Sequence, residues 1–157
     1  MTEVLNIHQR LAAAMRQVTY VQKERKQGMQ YTIVSHDAVT SKVRPALLAA
    51  IRRAGEQARW VTSVCTGAFL LAKAGLLTDE KVTTHWEDIT ELRACFPGLD
   101  VQSGVRWVED GNRLTSAGIS AGIDMSLHLV ERLHSRELAV RTARQMDYAW
   151  QVSPSGL

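Results

Sequence analysis

The stretch Trp60-Val61-Thr62-Ser63-Val64-Cys65-Thr66-Gly67 constrains this chain more than any other. Residues 60–64 read as a buried strand, and the helix-forming run 68–74 follows after only Cys65, Thr66 and Gly67. A strand that ends on a cysteine and turns directly into a helix holds the cysteine in a tight elbow with its side chain accessible. Unpaired N–H groups at the helix start favour negative charge. The elbow therefore predicts a thiol of lowered pKa that serves as a nucleophile. In the serine version of this geometry, the N–H of the following residue, here Thr66, helps to hold an oxyanion.

The rest of the chain supplies elements for an α/β sheet. Val4, Ile7, Leu11, Met15 and Val18 mark an amphipathic helix over residues 4–18. Residues 19–24 and 30–35 are strand-like and separated by Lys26-Gln27-Gly28, as a hairpin or as two distant strands. Pro45 opens a helix over 46–54, with Gly55 as its stop, and the elbow helix ends at Gly75. Residues 81–84 form a short strand segment, and Thr84-x-x-Glu87 has the form of a capping box for a helix reaching about Cys95, which Pro97 closes. A short strand over 101–103 follows. Residues 106–109 and 113–116 then alternate around Asp110-Gly111-Asn112, a hairpin signal. Ser120 is placed to cap a helix running to Leu133, and a last helix spans 137–150 with Leu138, Ala139, Met146 and Ala149 as its apolar positions. Strands alternating with helices, and a reactive residue at a strand's carboxyl end, predict an open, mostly parallel α/β sheet.

Composition sets the outer bounds. At 157 residues with 45% hydrophobic and 22% charged content, the chain reads as one globular domain. The longest apolar-rich stretch, 61–77, is broken by Thr62, Ser63, Thr66 and Lys73, so no membrane span is expected. The first residues lack the basic start and apolar segment of a signal peptide. The expected compartment is the cytoplasm, with Cys65 and Cys95 reduced and not bridged. Arg52-Arg53 and Lys23/Arg25/Lys26 read as solvated surface, and a net charge of +3 predicts no nucleic-acid partner. There is no Cys-x-x-Cys, and His128 and His134 are six apart, so neither a metal nor a cofactor is expected.

The candidate site gathers at the sheet's carboxyl edge. His85 follows a strand segment and begins a helix, which makes Cys65 and His85 a candidate nucleophile and base. The ordinary alternatives are a cysteine packed as a small apolar group and a histidine lining a helix start. Cys95, between Ala94 and Phe96, reads as a buried or half-buried helix residue. Gly118 and Gly122 flank Ile119-Ser120-Ala121 as a second strand-to-helix turn able to approach Cys65.

Ser63-Val64-Cys65-Thr66-Gly67-Ala68-Phe69-Leu70-Leu71, Ala74-Gly75-Leu76-Leu77, Thr83-Thr84-His85-Trp86 and Thr115-Ser116-Ala117-Gly118-Ile119-Ser120-Ala121-Gly122-Ile123-Asp124 resemble the ThiJ/PfpI superfamily. The likeness is to its isonitrile hydratase branch and to the sensor domains of AraC-type regulators, and Arg144-Gln145-Met146-Asp147-Tyr148 extends it. It covers residues 42–150 of a single 1–157 domain and leaves 1–41 as a divergent N-terminal segment. The resemblance implies a flavodoxin-like three-layer sandwich, a homodimer, a small-molecule substrate or ligand, and Cys65 as nucleophile with Thr66 orienting the adduct. The implied reaction is addition of water to a small isonitrile, giving an N-substituted formamide. Such domains act alternatively as non-catalytic sensors, and a shortened member can lose activity. The sensor domains of regulators precede a helix-turn-helix module, whereas Leu157 lies seven residues past Trp150, so direct DNA binding is not expected.

The chain also departs from that pattern. Family members open with a strand, a helix and a second strand, and the first strand carries an acid that hydrogen-bonds the cysteine. Here the opening residues read as a helix, which predicts a gap in the sheet. Residues 19–24, or a segment exchanged from a second copy, would fill that gap. Where the family has a Pro-Gly-Gly loop lending a second N–H to the oxyanion, this chain has Ser35-His36-Asp37, expected to line the substrate site together with Gly118 and Ile119. Glu24 and Asp37 are the acids available to replace the first-strand carboxylate.

Overall fold

The computed structural model describes residue 43 and residues 45–155 in full, and residues 29–35 as backbone. The predicted helix over 4–18 and strand over 19–24, with His36 and Asp37, lie outside the described residues. Among the described residues, a four-stranded sheet runs in the order β1 (Met29–Ser35), β2 (Ala58–Cys65), β6 (Arg113–Ser116), β5 (Trp107–Asp110). β1, β2 and β6 are parallel, and β5 returns antiparallel to β6. Asp110 pairs with Arg113 across a two-residue turn in which Gly111 takes φ 58°, the left-handed conformation that glycine adopts without a Cβ clash. A separate parallel pair, β3 (Lys81–Val82) and β4 (Asp100–Val101), is anchored to the main sheet. Its anchors are the Lys81 N–H on Asp110 Oδ2 at 2.8 Å and the Thr83 N–H on Thr115 Oγ1 at 2.8 Å.

The elbow strand is central because both its faces are buried. Val61 points into a core with Ile51, Phe69, Leu71, Leu77, Val82 and Leu92, drawn from α1 (Pro45–Glu56), α2 (Gly67–Lys73), α3 (Ile89–Cys95) and their flanking segments. Trp60 and Val64 point the other way, onto Trp107, Leu114 and Met125, beneath α4 (Ile119–Leu133). This is the two-residue alternation of a strand with helices on both sides, and it makes the molecule a three-layer sandwich. α5 (Arg136–Gln145) packs against α4. His128 of α4 stacks on Trp107 with ring centroids 4.2 Å apart, and its Nε2 lies 2.5 Å from Glu109 Oε2, which ties that helix to β5.

Several sequence expectations change in detail. The predicted sheet gap is absent among the described residues: β1 lies directly beside β2, which carries β6 on its other side. Gly55 does not stop α1 but sits inside it, where a Cβ would fall 2.4 Å from Leu76 Cδ1, so close packing selects the glycine. Gly75 does end α2. It takes φ 74°, its N–H bonds the Ala72 carbonyl and that of Leu76 bonds the Leu71 carbonyl, a Schellman closure. The Thr84–Glu87 capping box does not form; a 3₁₀ turn, Trp86–Asp88, intervenes before α3. Ser120 lies within α4, whose N-cap is Gly118, and α5 stops at Gln145, short of Trp150. Of the expected apolar positions Ala139 is buried, joined by Ala143, whereas Leu138, Met146 and Ala149 are exposed. Cys95, expected to be buried or half-buried, is exposed and bonds Glu91 Oε1 at 3.4 Å.

Candidate active site around Cys65

Cys65 ends β2 with φ 56°, a left-handed conformation that a residue bearing a Cβ adopts only at a cost of about 1–3 kcal/mol. The turn continues through the buried Thr66 into α2 within one residue, which is the elbow the sequence predicts. The strain is held from two sides. The fully buried Thr84 donates its hydroxyl to the Cys65 carbonyl at 2.9 Å, and Ser35 at the end of β1 pairs in register with Cys65.

The thiol's electrostatics differ from the expectation. Burial pushes the Cys65 pKa up, and the Asp88 carboxylate adds to that rise. The backbone N–H and the hydroxyl of Thr66 hydrogen-bond the sulfur and pull the other way, without reversing the shift. The sequence identifies the elbow and the donors at Thr66. It misses that the thiol is half-buried and that the turn after His85 carries Asp88 toward it, because both depend on tertiary packing.

His85 lies one residue beyond the Thr84 brace and opens the 3₁₀ turn. Its Nδ1 is 3.6 Å from Glu87 Oε2 and 3.7 Å from Asp88 Oδ2. Its ring stands 5.5 Å from the indole of Trp86, which is 69% exposed. The structure thus brings the Thr83–His85 segment to the elbow, and the hydrogen bond that makes the connection belongs to Thr84. Thr84 is the site residue that sequence reading assigned elsewhere, as a helix cap, although the Thr-Thr-His order was visible.

The second predicted turn also reaches this edge. β6 pairs Ser116 with Val64, and the chain leaves it through Ala117 and Gly118 into α4. Ile119, the first residue of that helix, is 61% exposed. A Cβ on Gly122 would lie 2.9 Å from Val64 Cγ1 and 3.0 Å from Cγ2, so α4 is seated directly on the residue before Cys65. Cys65, Thr66, Ser35, His85, Gly118 and Ile119 are therefore all carried on the carboxyl ends of β1, β2, β6 and the β3 segment. That is where open α/β sheets place their ligand sites. Among the described residues, no group of three or more His, Cys, Asp or Glu is arranged to hold a metal ion, and no helix is long and apolar enough to cross a membrane.

The chain is similar to several known proteins. The chain is 43% identical over 101 residues to the isonitrile hydratase of Pseudomonas putida, covering 63% of this chain and 42% of that protein. It is 34% identical over 120 residues to the HTH-type transcriptional regulator CdhR of Pseudomonas aeruginosa, covering 76% of this chain and 35% of the regulator. The crystal structure of a ThiJ/PfpI family protein from Pseudomonas syringae superposes with a TM-score of 0.66 at 30% identity, covering 75% of this chain and 49% of that one. The chain spans less than half the length of each of these three proteins. Residues 35–132, which include the elbow, the Thr84 brace and the Gly118 turn, match the DJ-1/PfpI family, and the chain belongs to that family.

Proposed function

We propose that this domain binds a small molecule at the carboxyl edge of its sheet and that Cys65 is the nucleophile toward it, in hydratase or related hydrolase chemistry of the isonitrile kind. The observation that carries the reading is the positive φ of Cys65, a strain maintained at a residue other than glycine in a turn braced by Thr84. In the proposed cycle the Cys65 sulfur bonds the terminal carbon of R–N≡C and a proton is delivered to that carbon, giving a thioimidate, R–N=CH–S. Water then adds to the same carbon, the C–S bond breaks, the thiol is restored and R–NH–CHO leaves. The donors of Thr66 that hydrogen-bond the sulfur are proposed to orient the adduct. His85, on the braced segment, is the group proposed to move the proton.

The test is turnover of a small alkyl isonitrile to its formamide by wild type and by Cys65→Ala. Formamide from wild type alone supports the reading; equal rates in both proteins sink it.

A second reading, binding without turnover, is favoured by the upward shift of the thiol through burial and Asp88, which lowers the thiolate fraction. Similarity to a transcriptional regulator fits a sensor role for such a domain. Calorimetric binding of the isonitrile with no formamide produced would select this reading. In both readings the ligand is a small molecule and the working unit a homodimer, for which a monomeric mass in light scattering would be the contrary result.

A further inference from the structure

Asp124, in the second turn of α4, is completely buried, and both its carboxylate oxygens are occupied. Arg106 donates to Oδ2 through Nε at 2.8 Å and also through Nη2, while the Gln151 N–H donates to Oδ1 at 2.9 Å. A carboxylate this deep is tolerated only when paired and hydrogen-bonded in this way. The same two residues gather the segment that follows α5. The Trp150 indole donates to the Asp124 carbonyl at 3.2 Å, and the Arg106 N–H donates to the Pro154 carbonyl at 2.7 Å. Val105 and Ser155 form an antiparallel bridge. The Tyr148 hydroxyl donates to the Ser120 carbonyl in the first turn of α4 at 3.2 Å.

Arg106 also holds the other end of the arrangement. Its carbonyl accepts from the N–H of Ala117, where the chain leaves β6 for the Gly118 turn. Two residues before Asp124, Gly122 rests on Val64 with no room for a Cβ. One ion pair is thus bonded to the C-terminal segment, to the turn beside the site and to the helix that bears on the elbow strand.

We propose that Arg106 and Asp124 are positioning residues for the Cys65 site: by clasping residues 148–155 against α4 they fix the Ala117–Ser120 turn and the seat of Gly122 on Val64. Loosening the clasp lets α4 lift from Val64 and admits water beside Cys65. Burial is the main cause holding that thiol up, so the thiol then ionises more readily.

The inference rests on Cys65 being the reacting thiol, and its test needs no substrate. Iodoacetamide alkylation of Cys65 is followed against pH by mass spectrometry in the full chain, with the exposed Cys95 as internal reference. Asp124→Asn keeps the side chain's shape and removes its charge; Tyr148→Phe removes only the hydroxyl that reaches Ser120. Each variant is expected to alkylate faster at Cys65, by about threefold or more, with a lower pH midpoint and an unchanged rate at Cys95. Variants that fold with a lowered melting temperature but keep the wild-type rate and midpoint at Cys65 would reduce the clasp to a purely structural role and overturn the proposal. Where Asp124→Asn does not fold, Tyr148→Phe decides alone. Because the comparison is between variant and wild type, an absence of isonitrile turnover counts against the hydratase reading and leaves this one standing.

Discussion

The hydroxyl of Thr84 donates a 2.9 Å hydrogen bond to the carbonyl of Cys65, joining the segment that bears His85 to the elbow. The bond is part-buried and Thr84 itself fully so, and deleting the donor leaves the Cys65 carbonyl without it. Thr84→Val keeps the volume and removes the hydroxyl. It is expected to cost about 1–3 kcal/mol in urea denaturation, against a smaller loss for Thr84→Ser, which keeps the donor. Equal losses for Val and Ser would mean that packing of the methyl group, rather than the hydrogen bond, braces the elbow.

The strain at Cys65 predicts an inverted ranking of its replacements. Alanine at position 65 inherits the left-handed backbone with its Cβ penalty, whereas glycine does not. Cys65→Gly is therefore expected to be more stable than Cys65→Ala by about 1 kcal/mol, the reverse of the order in a regular strand. Parallel urea titrations of the two variants measure this difference directly. A less stable glycine variant would remove the strain from the account of the site.

The elbow was legible because its signal is local: an apolar run, a cysteine, a threonine and a glycine before a helix-forming segment leave the chain few conformations. The hairpin around Gly111 was legible for the same reason. The errors share a different cause. Gly55 reads as a helix stop because a glycine after a helical run usually is one, but its role is set by Leu76, twenty-one residues away. Thr84 fits the pattern of a cap, yet its hydroxyl is claimed by a carbonyl in another strand. The lowered thiol pKa that the helix start predicts does not form, because that argument is local while burial and Asp88 are tertiary. The Arg106–Asp124 pair, eighteen residues apart in sequence, gives no periodic signal at all.

The direction of the Cys65 shift gives a pH prediction with a definite sign. Burial and Asp88 hold the thiol protonated in the native state to higher pH than an ordinary cysteine. Above the ordinary thiol range the unfolded chain has then lost a proton that the native chain keeps, so the contribution of this group to stability is complete below that range and falls as pH rises through it. Asp88→Asn removes one cause without losing a cap, since the Asp88 side chain makes no capping hydrogen bond to α3. The variant is expected to lower the pH midpoint for iodoacetamide alkylation of Cys65 and to accelerate it at neutral pH. An unchanged midpoint would show that the Asp88 charge is screened from the sulfur.

The contact between Gly122 and Val64 is open to a double-mutant test. Gly122→Ala gains about 1 kcal/mol of helix propensity in the interior of α4. Its new methyl would fall 2.9 Å from Val64 Cγ1, and Val64 is buried and β-branched, so it has no spare rotamer to move into. Overpacking of this kind costs about 1–3 kcal/mol, so the single variant is expected to lose stability despite its better helix former. Val64→Ala removes two buried methyl groups and is expected to cost about 1.6 kcal/mol from transfer alone. In the double variant the alanine methyl at position 122 enters the space that Val64 vacated. The combined loss should therefore fall short of the sum of the two by about 1 kcal/mol. Strict additivity in chemical denaturation would mean that α4 does not bear on the elbow strand at Val64, and the route from the Asp124 clasp to Cys65 would lose its physical contact.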